Sequence, residues 1–276
     1  MKQVLSKKQI QQFQDKIYDY YHKNKRDFPW RKAITPYKIV VSEIMLQQTQ
    51  APRVVEKFKL FIKTFPNFPS LSKAPFKDIL KIWQGLGYNR RALGLKKLAE
   101  IVVIEYKGKL PKTPKELVGL PWIGPHTAGS IAAFAYNYPS IFIETNIRSV
   151  FIHEFFSDQT EITDKELLPY IEATLDKQNS RDWYNALMDY GAMLKEHNPN
   201  PSRRSKHYTK QSKFEGSNRK LRGMILKFLT IQSNASKTLI FSHCADYFDH
   251  TQTSTVLQQL EKEGLIIKNR NSYSIS

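Results

Sequence analysis

Two acids stand in surroundings that disfavour a charge. Glu43 is embedded in the apolar run KIVVSEIML, and Glu144 closes the run IFIE before the chain opens into TNIRSV. A glutamate enclosed by apolar side chains is driven toward its protonated form and becomes a usable general acid. The plainer reading of Glu43 is a carboxylate on the polar face of its helix, solvated or paired with Lys38 or Arg31, and this segment alone leaves both open. Glu144 has a more telling neighbour. About ten residues upstream of it ends a stretch, PKELVGLPWIGPHTAGSIAAFA, that reads as a short helix opened by Pro114, a tight turn LPWIGPH, and a second helix over 127–135 rich in small residues. Such a helix-hairpin-helix aims backbone N–H groups outward at a helix N-terminus, where the helix dipole also favours an anion. A phosphate grip followed by an acid points to chemistry on DNA.

A second turn carries groups that suit the same partner. In WQGLGYNRRA, Gly85 and Gly87 permit a tight turn from which Tyr88, Arg90 and Arg91 would protrude, the tyrosine as a wedge into a base stack and the arginines on phosphates. It could equally be a turn and nothing more. The charge of the whole chain agrees with a polyanionic partner: 43 lysines and arginines less 25 acids leave +18, with a pI near 9.7. From Ser202 to Arg222 eight basic residues face the single acid Glu215. That run reads either as a solvated linker or as a strap along a phosphate backbone through Arg203, Arg204 and Lys206.

The elements that must hold these groups are mostly helices. Apolar spacing predicts them over 6–24, over a segment begun by Thr35-Pro36 and containing Glu43, and over 52–64, 75–84 and 90–106. Further helices follow over 145–156, 164–176 and 180–195. Beyond the basic run, helices over 221–231, 237–248 and 253–263, the last capped by Gly264, lead into LIIKNRNSYSIS, a hairpin turning at Asn269-Arg270-Asn271. Three helices and a terminal hairpin form a winged-helix pattern, with or without DNA contact. The expected division is 1–198, a basic linker or strap over 199–217, and a winged-helix-like unit over 218–276. The single cysteine, Cys244, excludes a disulfide framework and a four-cysteine iron–sulfur cluster, and no metal set stands out. The N-terminus has no apolar signal core and no run reaches membrane-spanning length, so the expectation is a cytoplasmic, nucleoid-associated monomer with no membrane partner.

Six motifs in order carry a resemblance that covers about 25–195: FPWR (28–31), TPYKIVVSEIMLQQTQ (35–50), WQGLGYNRRA (83–92), LPWIGPHTAG (120–129), ETNIRSV (144–150) and ALMDYGAM (186–193). The chain resembles the helix-hairpin-helix DNA glycosylases that include endonuclease III, and among them the MutY-type adenine DNA glycosylases. The resemblance implies an all-α fold of two helical lobes and a double-stranded DNA partner bearing a mismatch or lesion. It further implies that a flipped-out adenine, mispaired with guanine or 8-oxoguanine, is hydrolysed from its sugar. Glu43 then matches the acid that protonates the leaving adenine, and Glu144 takes the place of an aspartate that stabilises the oxocarbenium-like sugar and the nucleophile. Arg31, Asn146, Asp189 and Trp30 match positions at the substrate pocket. Gln48 and Tyr88 match the wedge that replaces the flipped base, and Ile123, Gly124 and His126 the phosphate grip of the hairpin.

Several positions depart from the family pattern. Glu144 is one methylene longer than aspartate, Trp122 replaces a hairpin glycine, and the segment after ALMDYGAM lacks the cluster cysteines. His126 replaces the Schiff-base lysine of lyase-type relatives, and because an imidazole forms no imine the implied enzyme is monofunctional. These departures keep two alternatives open: removal of thymine or uracil from mismatches on the same fold, and a non-catalytic DNA-binding relative.

Overall fold

The computed structural model describes residues 4–211 and 213–276. In chain order these form α1 (Lys7–Asn24), α2 (Pro36–Leu46), α3 (Ala51–Thr64), α4 (Phe68–Lys73), α5 (Phe76–Trp83), α6 (Arg90–Ile104), α7 (Pro114–Leu117), α8 (Pro125–Tyr136), α9 (Thr145–Phe155), α10 (Asp164–Thr174) and α11 (Ser180–His197). Then come α12 (Asn218–Gln232), β1 (Ala235–Ser236), α13 (Lys237–Cys244), α14 (His250–Lys262), β2 (Ile266–Asn269) and β3 (Ser272–Ile275). Local chemistry fixes many of the starts. Ser6, Asn67, Thr113 and Thr163 each open a helix with a reciprocal capping box. Thr35 accepts the N–H of Lys38 ahead of the first-turn Pro36, as the sequence predicts. Neither α4 nor β1 is foreseen, because six and two residues are too short to show a period, and α13 stops at Cys244 rather than 248.

Two compact units result, each assembled from two stretches of chain. The first comprises the residues up to Ile39 together with Pro111–Lys210. Its core joins Phe13 and Ile17 of α1 to Phe151 of α9 and Trp183 of α11, the Phe13 ring lying 5.4 Å from Phe151 and 5.8 Å from Trp183. Each such fully buried side chain contributes about 1.5–3 kcal/mol. Two glycines set the closeness of packing here. A Cβ on Gly129 would come 2.8 Å from Cβ of Phe142, and one on Gly191 would come 2.4 Å from the carbonyl oxygen of Asn146. α8 is thereby laid against the strand-like segment before Glu144, and α11 against the start of α9.

The second unit comprises Val40–Leu110 together with Gln211–Ser276. Val54, Phe58 and Phe61 of α3, Ile79, Leu80 and Trp83 of α5, and Leu95 and Leu98 of α6 are buried in it; α5 packs on both α3 and α6, and the Phe61 ring meets that of Trp83 edge to face. Against α5 lies α12, and Glu263 after α14 is shared between Arg222 and Arg90. The terminal strands form an antiparallel sheet in the order β1-β3-β2, with Ala235 opposite Tyr273 and Ile266 opposite Ile275. The hairpin turn and the left-handed cap at Gly264 (φ 74°) fall where the sequence places them. Among the described residues no helix is long and apolar enough to cross a membrane.

Candidate active site

Glu144 is held by the helix it begins. Buried Phe142 and Ile143 anchor the extended segment, and the chain enters α9 with Glu144 as its N-cap. Its Oε1 accepts the backbone N–H of Asn146 at 2.7 Å and of Ile147 at 3.0 Å, while Oε2 accepts Nδ2 of Asn146 at 3.3 Å. Aspartate, asparagine, serine and threonine are the usual N-caps, because a short side chain reaches back to these amides without a detour. Glu144 spends its additional methylene on that detour, and its carboxylate still meets the free amides of the first turn of α9. Asn146 thus donates to Glu144 from both its backbone and its side-chain amide.

Over this N-terminus passes α11. Gly191 makes the contact with Asn146, and Lys195 follows one turn later on the same face of α11. Burial pulls the Lys195 ammonium below the ordinary lysine value, against the opposing charge of Glu144 and with that of Arg26 adding to the fall. Nothing in the sequence marks Lys195, since an exposed lysine at the end of a helix is the common case.

Asp189, 1% exposed, is saturated by two arginines. Arg31 grips it with two bonds of 2.8 and 2.9 Å, and Arg26 adds Nε at 2.6 Å and its backbone N–H at 2.9 Å. Burial alone would raise the Asp189 carboxyl; the hydrogen bonds and charge of Arg31, with those of Arg26, outweigh it and hold the group below the usual carboxylate value. Arg26 escapes the sequence reading because its partner lies 163 residues away. Trp30 is buried with its ring stacked on Phe28 at 4.8 Å.

In the second unit, Glu43 is half-buried on α2 between the buried residues Val40, Val41, Ser42, Ile44 and Met45. Past the end of that helix Gln48 is exposed in left-handed backbone, φ 53°. Tyr88 is exposed in the same conformation, φ 45°, its hydroxyl accepting Nε2 of Gln211 at 2.5 Å. Arg91 does not protrude beside it. It is 7% exposed and turned inward, because α6 begins at Arg90 and its second residue faces the core.

The hairpin keeps its geometry without the missing glycine. Trp122 adopts φ 67° and is 46% exposed, while Ile123 beside it is buried. Gly124 is the N-cap of α8 and offers no side-chain bond to it, so this helix start lacks the cap that Thr113 gives α7. His126 is exposed, and its Nδ1 accepts the N–H of Ile143 at 3.4 Å, linking the hairpin to the segment that carries Glu144.

The basic run begins packed against the first unit. Pro201, Ser202 and Ser205 are buried, and a bridge joins Ile162 to Ser205. Arg204 donates to the carbonyls of Ile152, Phe156 and Ser157, which makes it a C-terminal cap for α9. Arg203, Lys206 and Lys210 are exposed, and Ser212 lies outside the described residues. The segment after α11 holds no cysteine, and the only thiol, Cys244, is buried in α13, so the residues present do not fit a four-thiolate cluster. No group of His, Cys, Asp and Glu among the described residues is placed to hold a metal ion.

A family profile described as HhH-GPD superfamily base excision DNA repair protein matches residues 41–173. The thymine/uracil-DNA glycosylase of Methanothermobacter thermautotrophicus is 30% identical over 186 residues, which span 66% of this chain and 84% of that protein. The chain belongs to the HhH-GPD superfamily. Another HhH-GPD relative, the adenine DNA glycosylase of Buchnera aphidicola subsp. Baizongia pistaciae (strain Bp), is 37% identical over 176 residues, covering 63% of this chain and 50% of that one. This chain spans about half the length of the curated adenine glycosylases it matches. A thermostable thymine-DNA glycosylase of known structure superposes with a TM-score of 0.61 at 28% identity, over 67% of this chain and 87% of the other. The HhH-GPD match contains Glu43, Gln48, Tyr88, the hairpin and Glu144, whereas Asp189, Lys195 and the basic run lie beyond it.

Proposed function

We propose that this HhH-GPD protein is a monofunctional DNA glycosylase that excises adenine mispaired with guanine or 8-oxoguanine. Glu43 donates its proton to a ring nitrogen of the flipped adenine. The bond from C1′ to the base breaks with its electron pair leaving on the base, which departs neutral. The Glu144 carboxylate stabilises the positive charge on the sugar, and a water molecule adds at C1′ and gives up a proton. The observation that carries this reading is the Glu144 cap: three donors and a helix N-terminus are complementary to a carboxylate anion, the form that a cationic transition state requires. The names of the 37%-identical relative and others like it support adenine as the base. With His126 in the hairpin, no Schiff base forms there.

The partner in this reading is duplex DNA at the nucleoid, bound by a monomer. The N-terminus of α8 takes a phosphate, Gln48 and Tyr88 enter the stack, and Arg203 and Lys206 lie along the backbone. Residues 1–198 act as the glycosylase, 199–217 as the strap, and 218–276 as a winged-helix-like module. For that module the β1-β3-β2 order and the terminal hairpin are the support.

A second reading, removal of thymine or uracil opposite guanine, is favoured by the names of the relative with 84% of its length matched and of the structure with 87%. Single-turnover assays on duplexes carrying A·G, A·8-oxoguanine, T·G and U·G separate the two. Adenine release that falls by about 10²–10⁴ in Glu43→Gln, at little-changed binding, is the expected result. Release of pyrimidine alone would replace adenine with the second reading, and near-normal excision by the variant would remove Glu43 as the acid.

A further inference from the structure

One buried charge has no part in the chemistry proposed above. The Nη1 atom of Arg91 donates to the carbonyls of Ile44 (2.7 Å), Met45 (2.9 Å) and Gln47 (2.6 Å). Its Nη2 donates to Oγ1 of Thr49 (3.1 Å) and to the carbonyls of Leu86 (3.1 Å) and Gly87 (3.2 Å). The first set comes from the last turn of α2 and the residue after it, where carbonyls have no N–H partner within the helix, and a cation there also meets the negative end of the helix dipole. The second set comes from the loop at Thr49 and the turn that leads into Tyr88. One planar fork therefore ties together the end of the helix that carries Glu43 and the turn that carries Tyr88.

What lies between these anchors makes the tie consequential. Gln47 and Thr49 flank Gln48 on both sides, and Leu86 and Gly87 directly precede Tyr88. Both flanked residues are exposed and left-handed, a strained conformation for a side-chain-bearing residue that persists only where its surroundings enforce it. The guanidinium also lies 5.7 Å from the Tyr88 ring centroid and 5.5 Å from that of Trp83. Its hydrogen-bond acceptors are all neutral oxygens, so the fork organises carbonyl directions rather than neutralising an acid.

We propose that Arg91 is a positioning residue for base extrusion: it fixes Gln48 and Tyr88 together, in register with the helix of Glu43, before DNA arrives. This rests on the glycosylase reading for its purpose, though not for its test. Arg91→Lys keeps the buried charge, but one ammonium can serve only one of the two turns. Thr49→Val removes a single strand of the tie, the hydroxyl that takes Nη2 and lies 3.3 Å from the Leu86 carbonyl.

The test uses the full chain carrying Glu43→Gln, so that the base is not lost, and a duplex with 2-aminopurine beside the mispaired adenine, whose fluorescence rises on unstacking. Adding Arg91→Lys should cut the unstacking amplitude or rate about tenfold, with low-salt duplex binding within about threefold and an unchanged circular dichroism spectrum. On the Glu43 background, single-turnover excision should fall by a similar factor. A merely structural arginine would lower the melting temperature and leave unstacking by the folded protein as it was, and that result would overturn the proposal. Should Arg91→Lys not fold, Thr49→Val decides: partial loss of unstacking supports the tie, and undiminished unstacking refutes it. Unstacking by the parent chain without release of any base would sink the glycosylase reading and leave the Arg91 comparison standing.

Discussion

Glu144→Gln separates the two things that this side chain does. As an N-cap, a glutamine oxygen can still accept the N–H groups of Asn146 and Ile147, and its amide then faces Nδ2 of Asn146, a clash that an amide flip of Asn146 relieves. What remains lost is the interaction of a charge with the helix N-terminus, about 0.3–1 kcal/mol. A chain of this size should lose only about 2–4 °C in melting temperature for a change of that order. As an electrostatic partner of a cationic transition state, the same lost charge is worth a factor of about 10²–10³ in rate. Thermal unfolding and single-turnover excision at saturating enzyme measure the two separately. Glu144→Asp retains the charge and is itself a favoured cap, so the fold should be as stable; if the pocket has adapted to the longer side chain, excision should nevertheless be slower. Full excision by the Gln variant would remove Glu144 from the mechanism. Strong acceleration by Asp would mark Glu144 as a damaged position and favour the altered-substrate or non-catalytic alternatives.

Asp189→Asn should destabilise the chain at neutral pH by about 3–5 kcal/mol, because it leaves Arg31 and Arg26 without their buried partner. Since the folded-state value of Asp189 is depressed, its contribution is full above the unfolded carboxyl value of about 3.9 and is lost as pH falls through the folded value; urea titrations across that window should show a shallower acid loss in the variant. Neutralising Arg203 and Lys206, both exposed, should flatten the salt dependence of duplex binding by roughly one in slope per lost phosphate contact, whereas Arg204→Ala should chiefly lower stability through the end of α9. Trp122→Gly should raise the melting temperature, because glycine takes φ 67° at no steric cost, with the gain worth about 1 kcal/mol; a lower melting temperature would show that the indole is held in place by packing.

What could be read from the sequence was whatever depends on near neighbours. Caps and first-turn prolines marked the helix starts, and the small residues of α8 announced the close approach that Gly129 permits. The Glu144–Asn146 contact spans two positions and was equally open to view. Arg26 with Asp189, and Lys195 above the α9 terminus, bring together residues that only the folded chain makes neighbours. Arg91 is a different kind of miss. A Gly-Tyr turn suggests that everything after it points outward, yet Arg91 falls on the same stripe of α6 as Leu95, Leu98 and Val102, all buried. The period of that stripe was a signal against exposure; the arginine's charge hid it, since a buried guanidinium is tolerable only with its acceptors assembled.

Left-handed backbone on residues other than glycine occurs at eight described positions, so strain alone does not mark function. Asn137 and Arg270 occupy places where it is ordinary, the C-cap of α8 and a hairpin turn. Gln48, Tyr88 and Trp122 differ in what stands next to them. Arg91 pins both sides of the first and the approach to the second, and the third is followed directly by buried Ile123. At Gln48 and Tyr88 the buried guanidinium holds the flanking backbone, so the cost of presenting these side chains is met during folding. If Gln48 and Tyr88 form the proposed wedge, they would lose no further backbone entropy on entering a duplex, and their binding energy could go into unstacking the target base.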